Sequence, residues 1–277
     1  MPSNEKNEKN ANKVRKELAG LMDIYTGAVH RVALAYAERR NRERDIHWLA
    51  LQVAKEYGAM LFHSRLMWRK AKAMEPLESI RKSSADSFEE AEHYSGYQEI
   101  LDWYMDGKPC EVPQMWGYGD FPETGGPGPG VNKSLWPEHY GYLDMAQRYA
   151  REARSSWVRE VISSNREGAA VAFHAVMCKL PVTDEFAERV TRHERAVARD
   201  ELHHGPELIQ ELAKTVPSLD DLEEAKRKIT EMRVQELRQR NEQFLHPMTA
   251  AELGQLEQDF RHMRIEPIPV FSEGAIA

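Results

Sequence analysis

The sequence predicts an all-α fold, and three observations support this prediction. Apolar residues recur at helical spacing along most of the 277 residues, and no convincing strand pattern is found. Prolines divide the chain into segments of helical length. Hydrophobic residues make up 41% of the chain and charged residues 30%, which is typical of a globular protein with a core. The length is sufficient for one large helical domain.

We expect a disordered polar tail at 1–10, a helical domain at 11–245 and an extended tail at 246–277, which contains three prolines. The charge-dense run 38–45 is interpreted as an exposed helix face, with a short break as the alternative. The helix at 220–244 is expected to be charged and to lie at the surface. Helices are predicted at 11–41, 46–74, 84–104, 137–179, 183–215 and 220–244.

A long loop is predicted at residues 106–137, between the third and fourth of these helices. It contains six prolines, a Gly-Gly-Pro-Gly-Pro-Gly run at 125–130, and the aromatic residues Trp116, Tyr118, Phe121 and Trp136. A loop of this length in a compact domain often has a function. It is also the connection that a four-helix bundle with a crossover requires.

Composition argues against several classes of function. The net charge of −7 argues against nucleic acid and anionic membranes as partners. The two cysteines, Cys110 and Cys178, form no Cys-x-x-Cys pair, which argues against thiolate zinc sites, iron–sulfur clusters and a disulfide framework. Residues 1–10 lack the apolar region of a signal peptide, and no run of about 18 apolar residues occurs. We therefore expect a cytoplasmic protein.

Two Glu-x-x-His motifs carry the functional prediction. They are Glu90-Ala-Glu-His93 and Glu201-Leu-His-His204. Residues i and i+3 share one face of a helix, so each motif can present a carboxylate and an imidazole to the same ion. With 33 Glu and 11 His in the chain, about one such motif is expected by chance. Either motif alone could be a surface pair.

The register of the two motifs argues against chance. Glu56 lies 34 residues before Glu90, and Glu167 lies 34 residues before Glu201. The segments 56–63 and 167–174, offset by 111 residues, share four of eight positions. Two such hairpins would bring four carboxylates and two imidazoles together, and buried carboxylates require cations. Mixed carboxylate and imidazole ligands suit iron or manganese.

This repeated pattern resembles that of the ferritin-like superfamily of dimetal carboxylate proteins, over residues 46–215. The superfamily includes bacterial multicomponent monooxygenase hydroxylases, the ribonucleotide reductase small subunit, acyl desaturases, rubrerythrins and manganese catalases. The resemblance implies a ferritin-like four-helix bundle with a long crossover loop and extra N- and C-terminal helices. It implies two metal ions, Fe/Fe with Mn/Fe or Mn/Mn as alternatives. The implied ligands are Glu90 and Glu201 as bridges, Glu56 and Glu167 as terminal carboxylates, and His93 and His204 as terminal nitrogen ligands.

Further residues are predicted around the metals. Glu89 and Asp200 precede the two motifs, a position at which some members of the superfamily orient a ligand histidine. Tyr97, four residues after His93, should face the cluster as a pocket residue or, as in the reductase, as a redox-active tyrosine. His63 and His174 lie roughly 10 Å along the helix from their glutamates. They are predicted to line the pocket or support a ligand, with a core histidine as an equal alternative.

Small residues beside the terminal carboxylates would leave a void for an organic substrate, with close helix packing as the alternative reading. These are Gly58, Gly168, Ala169, Ala170 and Ala172. The first functional prediction is therefore a non-haem diiron oxygenase or oxidase that uses O₂, a small organic substrate and an external electron donor, either a reductase or a ferredoxin. A rubrerythrin-like peroxidase or manganese catalase, and ferritin-like iron storage, are the alternatives. A homodimer is also considered.

Overall fold

The computed structural model describes residues 4–110, 136–214 and 217–272, without the side chains of 4–10, 165–167 and 202–208. These residues contain helices and no strand, so the all-α prediction is confirmed. No helix in this part of the chain combines the length and apolarity that a membrane crossing requires. Most of the predicted long loop, 111–135, lies outside the described residues. The helices are α1 (Asn4–Glu38), α2 (Arg42–Lys72), α3 (Leu77–Tyr104), α4 (Pro137–Arg151), α5 (Ser156–Met177), α6 (Glu185–Lys214), α7 (Leu219–Gln243) and α8 (Ala250–Arg261).

Two long antiparallel hairpins position the candidate site. Helix α2 packs along α3, and α5 packs along α6. The hairpins meet where α3 contacts α6, while α1 covers α5 and α6. The α2–α3 pairing places Ser64 against Ser87, whose hydroxyl oxygens lie 2.7 Å apart. Helix α3 begins at Leu77, seven residues earlier than predicted, and α1 begins at Asn4, inside the segment predicted as a tail.

The charge-dense run 38–45 contains a break and is not an exposed helix face. Helix α1 ends at Glu38, and the side chain of Asn41 caps α2 by accepting from the Arg44 amide. Asp45 is buried. Its carboxylate is stabilised there because it accepts from the Tyr36 hydroxyl at 2.7 Å and pairs with Arg40. A run that reads as solvated in sequence is therefore partly internal.

The single helix predicted at 137–179 is two helices. Helix α4 ends at Arg151 and α5 begins at Ser156. The Ser155 hydroxyl accepts from the Val158 amide, which is the cap that starts α5. The hydrogen bond from this backbone amide to the serine side chain competes with the hydrogen bonds that would have continued the preceding helix.

Helix α7 is largely buried, so its prediction as a surface helix is wrong. Arg233 and Arg240 both pair with Glu236, and all three residues are at most 5% exposed. Glu242 accepts from the backbone N–H groups of Glu138 and His139, at the N-terminus of α4, at 3.1 Å each. A charged side chain can be buried when an opposite charge lies three or four residues away on the same helix, or when it contacts the N-terminus of another helix.

The C-terminal segment is not simply an extended tail. Thr249 and Glu252 form a capping box that begins α8. After α8, the chain returns to α1, where Asp23 Oδ1 accepts from the amides of Val270 and Phe271 at 2.8 Å each. Both residues are buried. The sequence contains the residues of this capping box, but the prediction of an extended tail was based on the three prolines.

Replacing Asp23 with alanine should release residues 270–272 from α1. Two buried amides would lose their acceptor, at a local cost of about 1–3 kcal/mol for each. We expect faster hydrogen exchange at Val270 and Phe271, with exchange in α2 unchanged. The control is Asp259→Ala, because Asp259 pairs with Arg264 near the surface. Unchanged protection at residues 270 and 271 in Asp23→Ala would contradict this role.

Candidate metal centre

Three of the predicted ligands converge in the structure. Glu56 on α2 and Glu90 and His93 on α3 each offer a ligand atom, and these atoms lie within 4.8 Å of one another. Glu56 is 6% exposed and His93 is 4% exposed. The i, i+3 spacing places Glu90 and His93 on one face of α3, and that face meets α2 in the hairpin. The cluster is therefore internal and faces the second hairpin.

The two ring nitrogens of His93 have different environments. Nε2 lies 3.3 Å from Oδ2 of Asp200, which extends from α6. Nδ1 is buried 3.5 Å from Oε2 of Glu90 and has no hydrogen-bond partner among the described residues. A carboxylate that holds one nitrogen fixes the orientation of the ring and leaves the other nitrogen for a metal ion. Asp200 therefore occupies the position of a residue that orients a ligand histidine, the role that the sequence analysis predicted for it.

The cluster has perturbed protonation equilibria. Burial raises the pKa of the Glu90 carboxyl to about 8, and the charge of Glu56 adds to the rise. Burial opposes the charge of His93, yet the neighbouring carboxylates of Glu90 and Glu56 raise its pKa to about 9. Burial also opposes the charge of Glu56, but Lys55, with Nζ 3.7 Å from Oε1, keeps its pKa below the ordinary value.

The second half of the predicted ligand set is only partly described. Glu201 is half-buried on α6, directly after Asp200. Its charge contributes to the raised pKa of Tyr97, but it is not among the described residues whose ligand atoms lie within 4.8 Å of one another. The side chains of Glu167 on α5 and His204 on α6 lie outside the described residues. Glu89 is half-buried on α3.

A buried carboxylate that the sequence analysis missed connects two of the predicted pocket residues. Glu194 on α6 is fully buried; it accepts from the Tyr97 hydroxyl at 2.6 Å and from His174 Nδ1 at 2.7 Å. Burial raises the pKa of Tyr97 well above its ordinary value, and the charge of Glu194 adds to the rise. Glu194 lies seven residues, or two turns, before Glu201, so the shared helix face was the signal that could have found it.

His193 is a second residue that the sequence analysis missed. Its Nε2 donates to the backbone carbonyl of His93 at 3.1 Å, and its ring packs edge-on against Tyr97 at 4.4 Å. The ring occupies the space above Gly96, where an added Cβ would lie 2.1 Å from it. Gly96 therefore allows α6 to approach α3 beside the cluster.

His63 lies apart from the cluster. Its Nδ1 is 3.6 Å from Oδ2 of Asp86, and both side chains are about one quarter exposed. The structure thus places His63 on the outer part of the α2–α3 hairpin, whereas its counterpart in the repeat, His174, is buried against Glu194. The sequence repeat is not matched by equivalent environments at this position.

Comparison with known proteins adds no relative: no family model matches the chain, and neither the curated proteins nor the solved structures include a significant match.

Proposed function

We propose that the chain is a ferritin-like dimetal carboxylate protein, and that it is a diiron oxidoreductase which uses O₂ to oxidise a small organic substrate. The observation that carries this proposal is the environment of His93. Its Nε2 is held by Asp200, and its buried Nδ1 faces Glu90 beside Glu56. This is the arrangement of a metal-binding histidine with an orienting carboxylate.

The chemistry of the donors fits a divalent metal. Oxygen and imidazole ligands without thiolate suit iron or manganese. Burial and the charge of Glu56 together raise the pKa of Glu90 to about 8, and a bound cation would offset both effects. The register of the sequence supplies Glu167, Glu201 and His204 for a second ion. When bound, two Fe(II) ions would supply the electrons that reduce O₂.

The roles of the chain's own residues follow from the geometry. Asp200 orients His93, while Lys55 balances charge at Glu56. Glu194 holds the Tyr97 hydroxyl and the His174 ring in fixed positions beside the cluster. The nearby helices exclude water from Tyr97, His174 and Glu194, which are all at most 3% exposed. Electrons for repeated turnover would come from a separate reductase or ferredoxin.

Metal binding should strengthen as pH rises from 6 to 8.5. The metal must displace protons from Glu90 (pKa about 8) and His93 (pKa about 9), so affinity should rise at least about tenfold per pH unit. Both pKa values are raised in the folded state, so the metal-free protein should lose stability as pH rises through that range. The gain in Tm on adding metal should therefore be larger at pH 8.5 than at pH 6. A constant gain would contradict this prediction.

The reaction of the anaerobic Fe(II) form with O₂ tests the proposed function. We expect a transient visible absorption band and, in a substrate screen with an added electron donor, oxygen-dependent product. Bound manganese with rapid disproportionation of peroxide would instead support a catalase. A multi-subunit cage that accumulates iron would support storage. Bound iron with no optical change on mixing with O₂ would overturn the proposal.

A further inference from the structure

The distal half of the α2–α3 hairpin carries most of the large apolar side chains that are exposed. This distal hairpin comprises residues 59–89, of which only Ser83 is buried. Eight large apolar residues are exposed in the described part of the chain, and five of them lie here: Phe62, Trp68, Met74, Leu77 and Phe88. Single exposed apolar residues are normal, but their concentration on one element indicates an interaction surface.

The contact between α2 and α3 within the distal hairpin is partly polar. The hydroxyl oxygens of Ser64 and Ser87 lie 2.7 Å apart. Lys70 Nζ donates to Ser83 Oγ at 2.9 Å. A helix that packs against one neighbour ordinarily buries its apolar side chains there and leaves its polar ones in water. Here polar groups lie between the helices while large apolar side chains remain outside, so the outer face is the one that requires a partner.

One side of α3 presents apolar and charged side chains in a regular stripe. Leu77, Arg81, Ala85, Phe88 and Glu92 are all exposed. Their spacings of three or four residues place them along a single side of the helix. We call these five residues the α3 stripe. It extends from the tip of the hairpin almost to the level of the candidate metal centre.

The charge of the hairpin changes sign from tip to base. The tip, residues 69–82, contains five basic and two acidic residues. The base of α3, residues 86–99, contains five acidic residues and no lysine or arginine. Two hairpins packed side by side and antiparallel would place each tip against the base of the other, whereas parallel packing would bring like charges together. A two-fold axis produces such an antiparallel contact from a single surface.

We propose that the α3 stripe is a homodimer interface, at which the distal hairpins of two copies pack antiparallel about a two-fold axis. The register that sets Arg81 beside Glu92 of the second copy also sets Phe88 over Ala85 of that copy. Both pairs occur twice, and the two Phe88 rings lie about one turn apart across the axis. Phe88 is the apolar anchor, and the charge pairs fix the direction. The interface uses no metal ligand, so it does not rest on the proposed function.

Sedimentation equilibrium of the full-length chain tests the association. We expect dimers at about 100 μM, since even weak specific interfaces have a Kd in the micromolar range. Phe88→Ala should raise the Kd at least about thirtyfold, the effect of truncating a central aromatic anchor. The matched control is Leu219→Ala, because Leu219 is similarly exposed but lies on α7. Its Kd should equal that of the parent.

Three results of this experiment would overturn the proposal. The first is a parent chain that stays monomeric at this concentration, in which case a different protein would have to cover the exposed face. The second is an unchanged Kd in Phe88→Ala. The third is an equal rise of the Kd in Phe88→Ala and Leu219→Ala, which would show that the α3 stripe is not the interface.

Charge reversal tests the antiparallel register. Arg81→Glu and Glu92→Arg should each dimerise more weakly than the parent, because each places like charges together at both ends of the contact. An equimolar mixture of the two variants should form a heterodimer with a Kd near that of the parent. In that pair, opposite charges face each other again at both ends. A mixture that associates no better than the separate variants would overturn the proposed register.

Discussion

His93→Ala should reduce bound metal from two ions per chain to one or none. The variant removes the only imidazole in the described half-site and leaves Glu56 and Glu90 without a nitrogen ligand. Of the two remaining carboxyls, Glu90 prefers to hold a proton, as its pKa of about 8 indicates, which weakens metal binding by the pair. Elemental analysis after gel filtration would measure the loss, and O₂ reactivity should disappear with it.

His63→Ala is the matched control for this loss. His63 lies on the same hairpin as His93 and also faces a carboxylate. That carboxylate is Asp86, and both side chains are partly exposed. It should retain full metal content. Equal metal loss in both variants would indicate damage to the hairpin rather than removal of a ligand. Full metal content in His93→Ala would show that the ligand set is wrong.

Glu194→Ala should destabilise the protein by about 2–6 kcal/mol. The substitution leaves the Tyr97 hydroxyl and His174 Nδ1 buried without their acceptor, and each such group costs about 1–3 kcal/mol. Urea unfolding of the metal-free protein would measure the change, with an unchanged dependence on urea concentration. Metal binding by the folded fraction should persist, because Glu194 lies two turns from Glu201.

Glu188→Ala on the same helix is the control for Glu194→Ala. Its carboxylate pairs with Arg192, and both side chains are more than half exposed. An exposed pair of this kind contributes about 0–1 kcal/mol, so the variant should unfold close to the parent. If the two variants lost equal stability, the buried contacts of Glu194 would not be the cause.

The sequence was sufficient to predict the all-α class and the meeting of Glu56, Glu90 and His93. Both predictions depend on periodicity: helical spacing sets the faces, and the 34-residue offset sets which turns of a hairpin lie opposite each other. The contact between Asp200 and His93 adds a link between hairpins that spacing within one helix could not specify.

The parts that sequence analysis missed depend on tertiary pairing. Helix α7 reads as a surface helix because it is highly charged, but Arg233 and Arg240 are buried by sharing Glu236. Nothing in the local sequence distinguishes Glu194 from the other glutamates. Its role depends on Tyr97 of α3 and His174 of α5, which contact it only in the folded chain. The segment 137–179 is divided into α4 and α5 at the Ser155 cap, and the helical spacing of apolar residues does not reveal such a cap.

The stoichiometry of metal binding is the most direct test of the proposed centre. Anaerobic titration of the metal-free chain with Fe(II) at pH 8 should saturate at two ions per chain, and His93→Ala should saturate at one or none. Saturation at two ions would establish a dinuclear site formed by the two hairpins. No binding by the parent chain, with its helical content intact, would contradict the assignment and leave the sequence repeat without a metal function.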